Sequence, residues 1–383
     1  MSTVAPPTWE QFRAQMPVAQ RYAYFDHAAV APLSQPAASA LVEYAEQLAN
    51  SGAKLWSQWE LGAEATRQTA ARLIGAHVDE IALVGNTTQG IGLVAEGFPW
   101  RPGDNVVVPP YEFPSNLYPW LNLQSRGVET RRVPANSEAL DLNALAAACD
   151  QRTRLIAVSW VGYATGWRNH LEQIAALAQD RGIALLVDAI QGLGVLPLQV
   201  DQLGIDFLAA DGHKWMLGPE GAGLLYIRRS RLEELRPLNV GWHSVRHAGD
   251  FTRTDLDLKP AASRFEGGSQ NLAGCLALGA SLRLLETYGI DRISERLLEY
   301  TDRLCDRLTR IGARIVSRRE DGHSSGIVAC ELPGRDPAQL RRHCATRDVI
   351  VNHRAGRLRL SPHVYQNDDD LDRLIDALVT ATR

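Results

Sequence analysis

Apolar and polar positions along the chain fall into two textures. Between about residues 81 and 227, short unbroken apolar runs alternate with stretches of helical periodicity. Ile81–Val84 leads to a helix over 87–96, Asn105–Val108 to one over 116–125, and Leu155–Ser159 to one over 171–180. Ala184–Val187 leads into 191–194, Phe207–Ala210 follows, and Leu224–Ile227 is a further apolar run. Runs without alternation suit strands covered on both faces, and intervening helices suit parallel crossovers. The pattern therefore predicts an α/β fold with a mostly parallel sheet. Two helices precede it, over 35–50 after Ser34 and over 61–73 stopping at Gly75. The first fifteen or so residues read as Pro-rich and irregular.

After about residue 260 the texture changes. Gly267-Gly268-Ser269 opens a helix over 272–285, and a second helix covers 292–311. Strands are predicted over 326–332, 349–352 and 357–361, with helices over 337–346 and 368–380. This reads as a smaller α+β unit. The expected division is an N-terminal arm (1–20), a large α/β domain (21–262) and a small C-terminal α+β domain (263–383). No internal repeat or low-complexity linker interrupts it.

Length and composition narrow the function classes. A chain of 383 residues with 45% apolar and 22% charged residues can bury a sizeable core. A net charge of -4 gives nucleic acid or an anionic membrane no electrostatic footing, so neither is expected as a partner. No apolar run approaches the roughly 20 residues that span a bilayer, and Met1–Pro17 carries no signal-peptide pattern. The five cysteines, Cys149, Cys275, Cys305, Cys330 and Cys344, form no CxxC pair, which fits a reducing cytoplasm. The histidines show no metal-ligand spacing, so no metal is expected.

Three segments carry candidate chemistry. Ala210-Asp211-Gly212-His213-Lys214-Trp215 follows an apolar strand. A lysine at the end of a buried strand is costly to keep charged, and a depressed pKa makes it a nucleophile for a carbonyl cofactor. The alternative is a surface loop lysine. Asp188 also closes an apolar strand, where open parallel sheets bind ligands; a carboxylate there can pair with a protonated pyridine nitrogen. It could equally cap the next helix. Gly85-Asn86-Thr87-Thr88-Gln89-Gly90 lies between strand and helix, where backbone N–H groups and hydroxyls suit a phosphate or a simple cap. It is neither a Walker loop nor G-x-G-x-x-G.

Taken in this order, the three segments resemble the class V aminotransferase family of fold-type I pyridoxal 5′-phosphate (PLP) enzymes. That family includes cysteine desulfurases, selenocysteine lyases, kynureninases and isopenicillin N epimerase-like proteins. The resemblance runs from Tyr24-Phe25-Asp26-His27-Ala28-Ala29-Val30-Ala31-Pro32, through Glu112-Phe113-Pro114-Ser115-Asn116, to Arg357-Leu358-Arg359-Leu360-Ser361. It implies that Lys214 holds PLP as a Schiff base and shuttles protons, while Asp188 pairs with the ring nitrogen. It further implies that Thr87, Thr88 and His213 lie toward the phosphate, Phe113 stacks on the ring, and Gln191 lies near the phenolic oxygen. Arg359, with Ala29 on the substrate-side loop, would hold the substrate carboxylate. Ser269 would reach the phosphate of a second subunit, implying a homodimer with shared active sites.

The resemblance also shapes the expected reaction. Aminotransferase-like chemistry on a small α-amino acid, through an external aldimine and quinonoid, is the first expectation. An epimerase or C–S/C–N lyase is the alternative, and a non-catalytic scaffold is set aside. Desulfurases carry a cysteine on the loop between the last strands. Here the corresponding segment 351–357 has none, so desulfurase chemistry is disfavoured. Asp211 stands where desulfurases have a serine, and is expected to point away from the phosphate or to bond a backbone N–H.

Overall fold

The computed structural model describes residues 7–135, 137–320 and 322–381. The first described helix is Trp9–Ala14, capped by Thr8. For residues 7–15 this corrects the irregular N-terminus expected from sequence, and residues 1–6 of that expectation lie outside the described residues. Six residues are too few for periodicity to reveal, and the helix is held by tertiary packing of Phe12 against Tyr288 and His363. A two-residue strand β1 (Ala23–Tyr24) comes next.

Seven strands then build the main sheet. They are β2 (Ile81–Val84), β3 (Asn105–Val108), β4 (Glu129–Arg132), β5 (Thr153–Ser159), β6 (Ala184–Asp188), β7 (Phe207–Asp211) and β8 (Gly223–Ile227). Their spatial order is β2-β8-β7-β6-β5-β3-β4. Strands β4, β3, β5, β6 and β7 run parallel, while β8 is antiparallel to both neighbours. Strand β4 was not expected. Its sequence, Glu-Thr-Arg-Arg, is polar because it forms the partly exposed sheet edge. Apolar side chains bury both faces: Ile156, Val158 and Leu185 on one, Leu155, Ala157 and Leu186 on the other. Gly90 lets helix Thr87–Gly97 approach the sheet closely, since a Cβ there would lie 2.9 Å from that of Ala209.

The C-terminal part forms a four-stranded antiparallel sheet with a core of its own. Its strands are β9 (Arg314–Ile315), β10 (Val328–Glu331), β12 (Asn352–Arg354) and β13 (Arg357–Leu360). Strand β11 (Val349–Ile350) pairs in parallel with β1, tying the N-terminal segment to this part. Among the described residues, no helix is long and apolar enough to cross a membrane.

Candidate active site

Parallel strands deliver their last residues to one edge of the sheet. Ser159, Asp188 and Asp211 end β5, β6 and β7, and Ser159 lies in register with Asp188. A cavity of about 290 Å3 opens there, lined by Asp188, Asp211, Lys214, Thr87, Phe113 and Arg359 among others. Ligands of open α/β sheets bind at this edge. A cavity of about 650 Å3 lies elsewhere, against Trp167, His170 and His323, and holds none of these groups. The chemistry belongs to the smaller one.

Lys214 follows β7 in a tight turn closed by Leu217 N–H to its carbonyl, 3.1 Å. Leu217 takes φ 57°, a left-handed conformation costly for a side chain of its size. Its carbonyl is fixed by Ser281 Oγ at 2.7 Å. Burial lowers the Lys214 amine to about 8, against the pull of Asp188, so a sizeable neutral fraction exists near neutrality. Asp188 is raised to about 6 by burial, against the Ile190 N–H it accepts at 3.1 Å and the charge of Lys214.

Arg359 is 1% exposed. It donates through Nη1 to the Tyr163 carbonyl at 2.8 Å and through Nη2 to Asp26 Oδ1 at 3.4 Å, while Nε is buried with no partner. Burial lowers it to about 10, and Asp26 opposes the shift. Asn352 in turn donates to Asp26 Oδ2 at 2.7 Å. Sequence reasoning missed this Asp26 support, which comes from a segment 333 residues away.

The other expected residues divide. Thr87, Thr88, Phe113, Gln191, His213 and Ala29 line the cavity. Thr87 Oγ1 accepts the Asp211 N–H at 3.0 Å, and Thr88 Oγ1 donates to Ser115 at 2.7 Å. Asn86 caps their helix by accepting the Gln89 N–H at 2.8 Å. Phe113 is 42% exposed, its ring edge-on to Tyr163 at 5.3 Å. Gln191 is already engaged, donating to the Ala28 carbonyl at 3.1 Å and accepting from Trp215 at 2.9 Å. Ser269 lies outside, lining a separate cavity with Gly85 and Gln89.

Asp211 lines the cavity, with Oδ1 buried and unpartnered and Oδ2 2.9 Å from His213 Nδ1, off the line of a hydrogen bond. Sequence reasoning did not single out Glu112, Tyr163 or Arg354. Tyr163 and Arg354 line the cavity, and Glu112 lies outside its lining, accepting the Ser159 N–H. Asn352 Oδ1 and the His353 carbonyl accept from Arg354. His247, Asp255 and Asp257 gather on the surface, but Arg253 and Arg246 pair with the two carboxylates.

A family profile described as Aminotransferase class-V matches residues 23–374. The chain belongs to this family. A probable cysteine desulfurase of Methanothermobacter thermautotrophicus is 31% identical over 96% of this chain and 97% of its own. A cysteine desulfurase of Salmonella newport is 33% identical over 98% of each chain. The apo structure of a cysteine desulfurase from Thermococcus onnurineus superposes with a TM-score of 0.88 at 27% identity, covering 99% of this chain and 98% of that one. The architecture is thus that of fold-type I enzymes.

Class V enzymes use PLP, and this cavity fits it. It offers an exposed aromatic face, a capped helix start, a buried lysine of lowered pKa, a strand-end carboxylate and an unpartnered guanidinium nitrogen. The comparisons overturn the expected aminotransferase reaction. The relatives are named for cleaving sulfur from cysteine, which favours the alternative C–S lyase chemistry.

Proposed function

We propose that the protein is a PLP-dependent C–S lyase that cleaves the Cβ–S bond of cysteine or a cysteine-derived amino acid, without storing sulfur on a thiol of its own. The observation that carries this reading is full-length similarity to cysteine desulfurases combined with a cavity that no cysteine lines. All five cysteines are free and buried, and none falls in segment 351–357. Burial raises Cys344 to about 11, leaving little thiolate at neutral pH.

Each side chain then has a task. Lys214 is the residue suited to join the cofactor aldehyde, and the helix start at Thr87 and Thr88 is suited to its phosphate. When bound, the cofactor withdraws electrons from the substrate Cα. Asp188 would hold a proton on the ring nitrogen, and Phe113 would cover one ring face. Arg359 takes the α-carboxylate through its free Nε, while Asp26 and the Tyr163 carbonyl fix its plane. The Lys214 amine, when free, would accept the Cα proton. That C–H electron pair forms the Cα–Cβ double bond as the Cβ–S pair leaves on sulfur. Sulfur departs as hydrosulfide from cysteine, or as a persulfide from a disulfide such as cystine. Water hydrolyses the released dehydroalanine to pyruvate and ammonia.

Incubation with cysteine or cystine tests this directly. Pyruvate and ammonia should appear in amounts equal to the sulfur released. Alanine in their place would show reductive sulfur transfer to a thiol and overturn the reading.

We also propose that the protein works as a homodimer in a reducing cytoplasm. Exposed Phe251 (76%) and Leu256 (69%), together with Ser269 outside its own cavity, support an interface. Five free cysteines suit the compartment. Light scattering that returns a monomer mass for the PLP-loaded protein would reject the dimer.

A further inference from the structure

Next to the end of strand β5 sits a carboxyl group that the reaction described above leaves unused. Glu112 lies in the loop after β3, one residue before Phe113. Its Oε1 accepts the Ser159 backbone N–H at 2.7 Å, and its Oε2 accepts the Ser159 hydroxyl. Ser159 ends β5 in register with Asp188, and the Asp188 carbonyl accepts the Trp160 N–H at 2.8 Å. One residue thus grips Glu112 and flanks Asp188. Ser159 thus stands between the loop carboxyl of Glu112 and the strand-end carboxyl of Asp188, whose negative charge adds a small upward push to Glu112.

We propose that Glu112 is a positioning residue for Asp188: its negative charge, held by Ser159, strengthens the hold of Asp188 on a proton shared with the cofactor ring. The proposal rests on Asp188 facing that ring nitrogen. Two negative groups behind a ring nitrogen favour its protonated form more than one does, and repulsion between them is mutual. The grip itself depends on charge. Ionised, Glu112 accepts both Ser159 bonds; protonated, one oxygen becomes a donor and the hydroxyl must turn round.

The groups facing Glu112 are few. Ser159 and Asp188 come from the sheet, and Asn116 from the following turn brings its amide near without completing a hydrogen bond. Lys214 faces Asp188. Burial, opposed by the Ser159 bonds, carries the Glu112 carboxyl up to about 7. Ionisation therefore falls within the working range, so the supporting charge is present above about pH 7 and fades below it.

Glu112→Gln is the discriminating change. An amide keeps the shape and can still bond Ser159, but it carries no charge and does not titrate. In the PLP-loaded enzyme, wild-type kcat should fall about tenfold from pH 8 to pH 6. The variant should be lower at pH 8 and should lose the part of that fall centred near pH 7, with KM unchanged. In the apoprotein, carboxyl carbon NMR should show one fewer near-neutral titration and a lower midpoint for Asp188. A variant that keeps both the wild-type acid limb and the wild-type Asp188 midpoint overturns the proposal. If Glu112→Gln fails to fold, Ser159→Ala serves: losing a bond to the ionised form must move the limb to higher pH, and an unmoved limb overturns the proposal. Asp188→Asn separates the two levels. Full activity in that variant would remove the underlying role of Asp188, whereas an inactive Asp188→Asn beside an unchanged Glu112→Gln profile would remove only the role of Glu112.

Discussion

Lys214 Nζ stands 5.6 Å from the centre of the Phe113 ring. A cation over an aromatic face is attracted to it, yet burial still lowers the amine to about 8. The ring and the amine approach from separate chain segments and face each other within the cavity edged by Asp188 and Arg359.

Lys214→Ala should abolish turnover while leaving weak, non-covalent PLP binding. Borohydride reduction of the wild type followed by peptide mapping should place the pyridoxyl group on Lys214. A label on another lysine contradicts the assignment.

The rate at which apoprotein captures PLP should rise with pH. The neutral amine is the nucleophile, so the rate climbs through a midpoint near 8 and levels off above it. A midpoint near the ordinary lysine value of about 10.4 would show that burial does not activate this amine. Stopped-flow absorbance from pH 6.5 to 10 measures it.

Asp188→Asn should slow Cα deprotonation by several orders of magnitude, because a neutral amide cannot keep the ring nitrogen protonated and the cofactor then withdraws electrons poorly. Solvent hydrogen exchange at Cα isolates that step from product release. Exchange at the wild-type rate would be incompatible with the role given to Asp188.

Arg359→Lys should raise KM for the amino acid by roughly ten- to a hundredfold, because an ammonium cannot reproduce the planar fork. The charge is retained beside Asp26, so the fold should survive. Steady-state kinetics with the intact protein decide it; a change confined to kcat would point away from carboxylate binding.

Cys344→Ala should leave C–S cleavage unchanged and cost about 1 kcal/mol of stability, since the residue is packed in the C-terminal core. Persulfide mapping after incubation with cysteine should find none at Cys344. A stoichiometric persulfide there, lost together with activity in the variant, would restore desulfurase chemistry.

Strand ends were legible because they follow local rules. The apolar run of β2 matches its observed bounds, and those of β6 and β7 extend by one residue to Asp188 and Asp211. Strand β4 was not legible, because an edge strand needs no continuous apolar run. The reaction was misjudged for a chemical reason. Transamination, epimerisation and elimination all begin with loss of the Cα proton, so the same lysine, aspartate and arginine serve them all.

The sequence by itself determined the alternation of strand and helix, the placing of Asp188 at a strand end and of Lys214 just beyond one, and membership of the family. Those features depend on residue type and short-range period. Only the tertiary structure decided which groups share an environment. Arg359 meets the carbonyl of Tyr163 across 196 residues, and Ser159 reaches Glu112 across 47. Burial at those meetings, not residue identity, sets the lowered lysine and the raised carboxyls. Desolvation belongs to the folded surroundings of a group, and no local pattern encodes it.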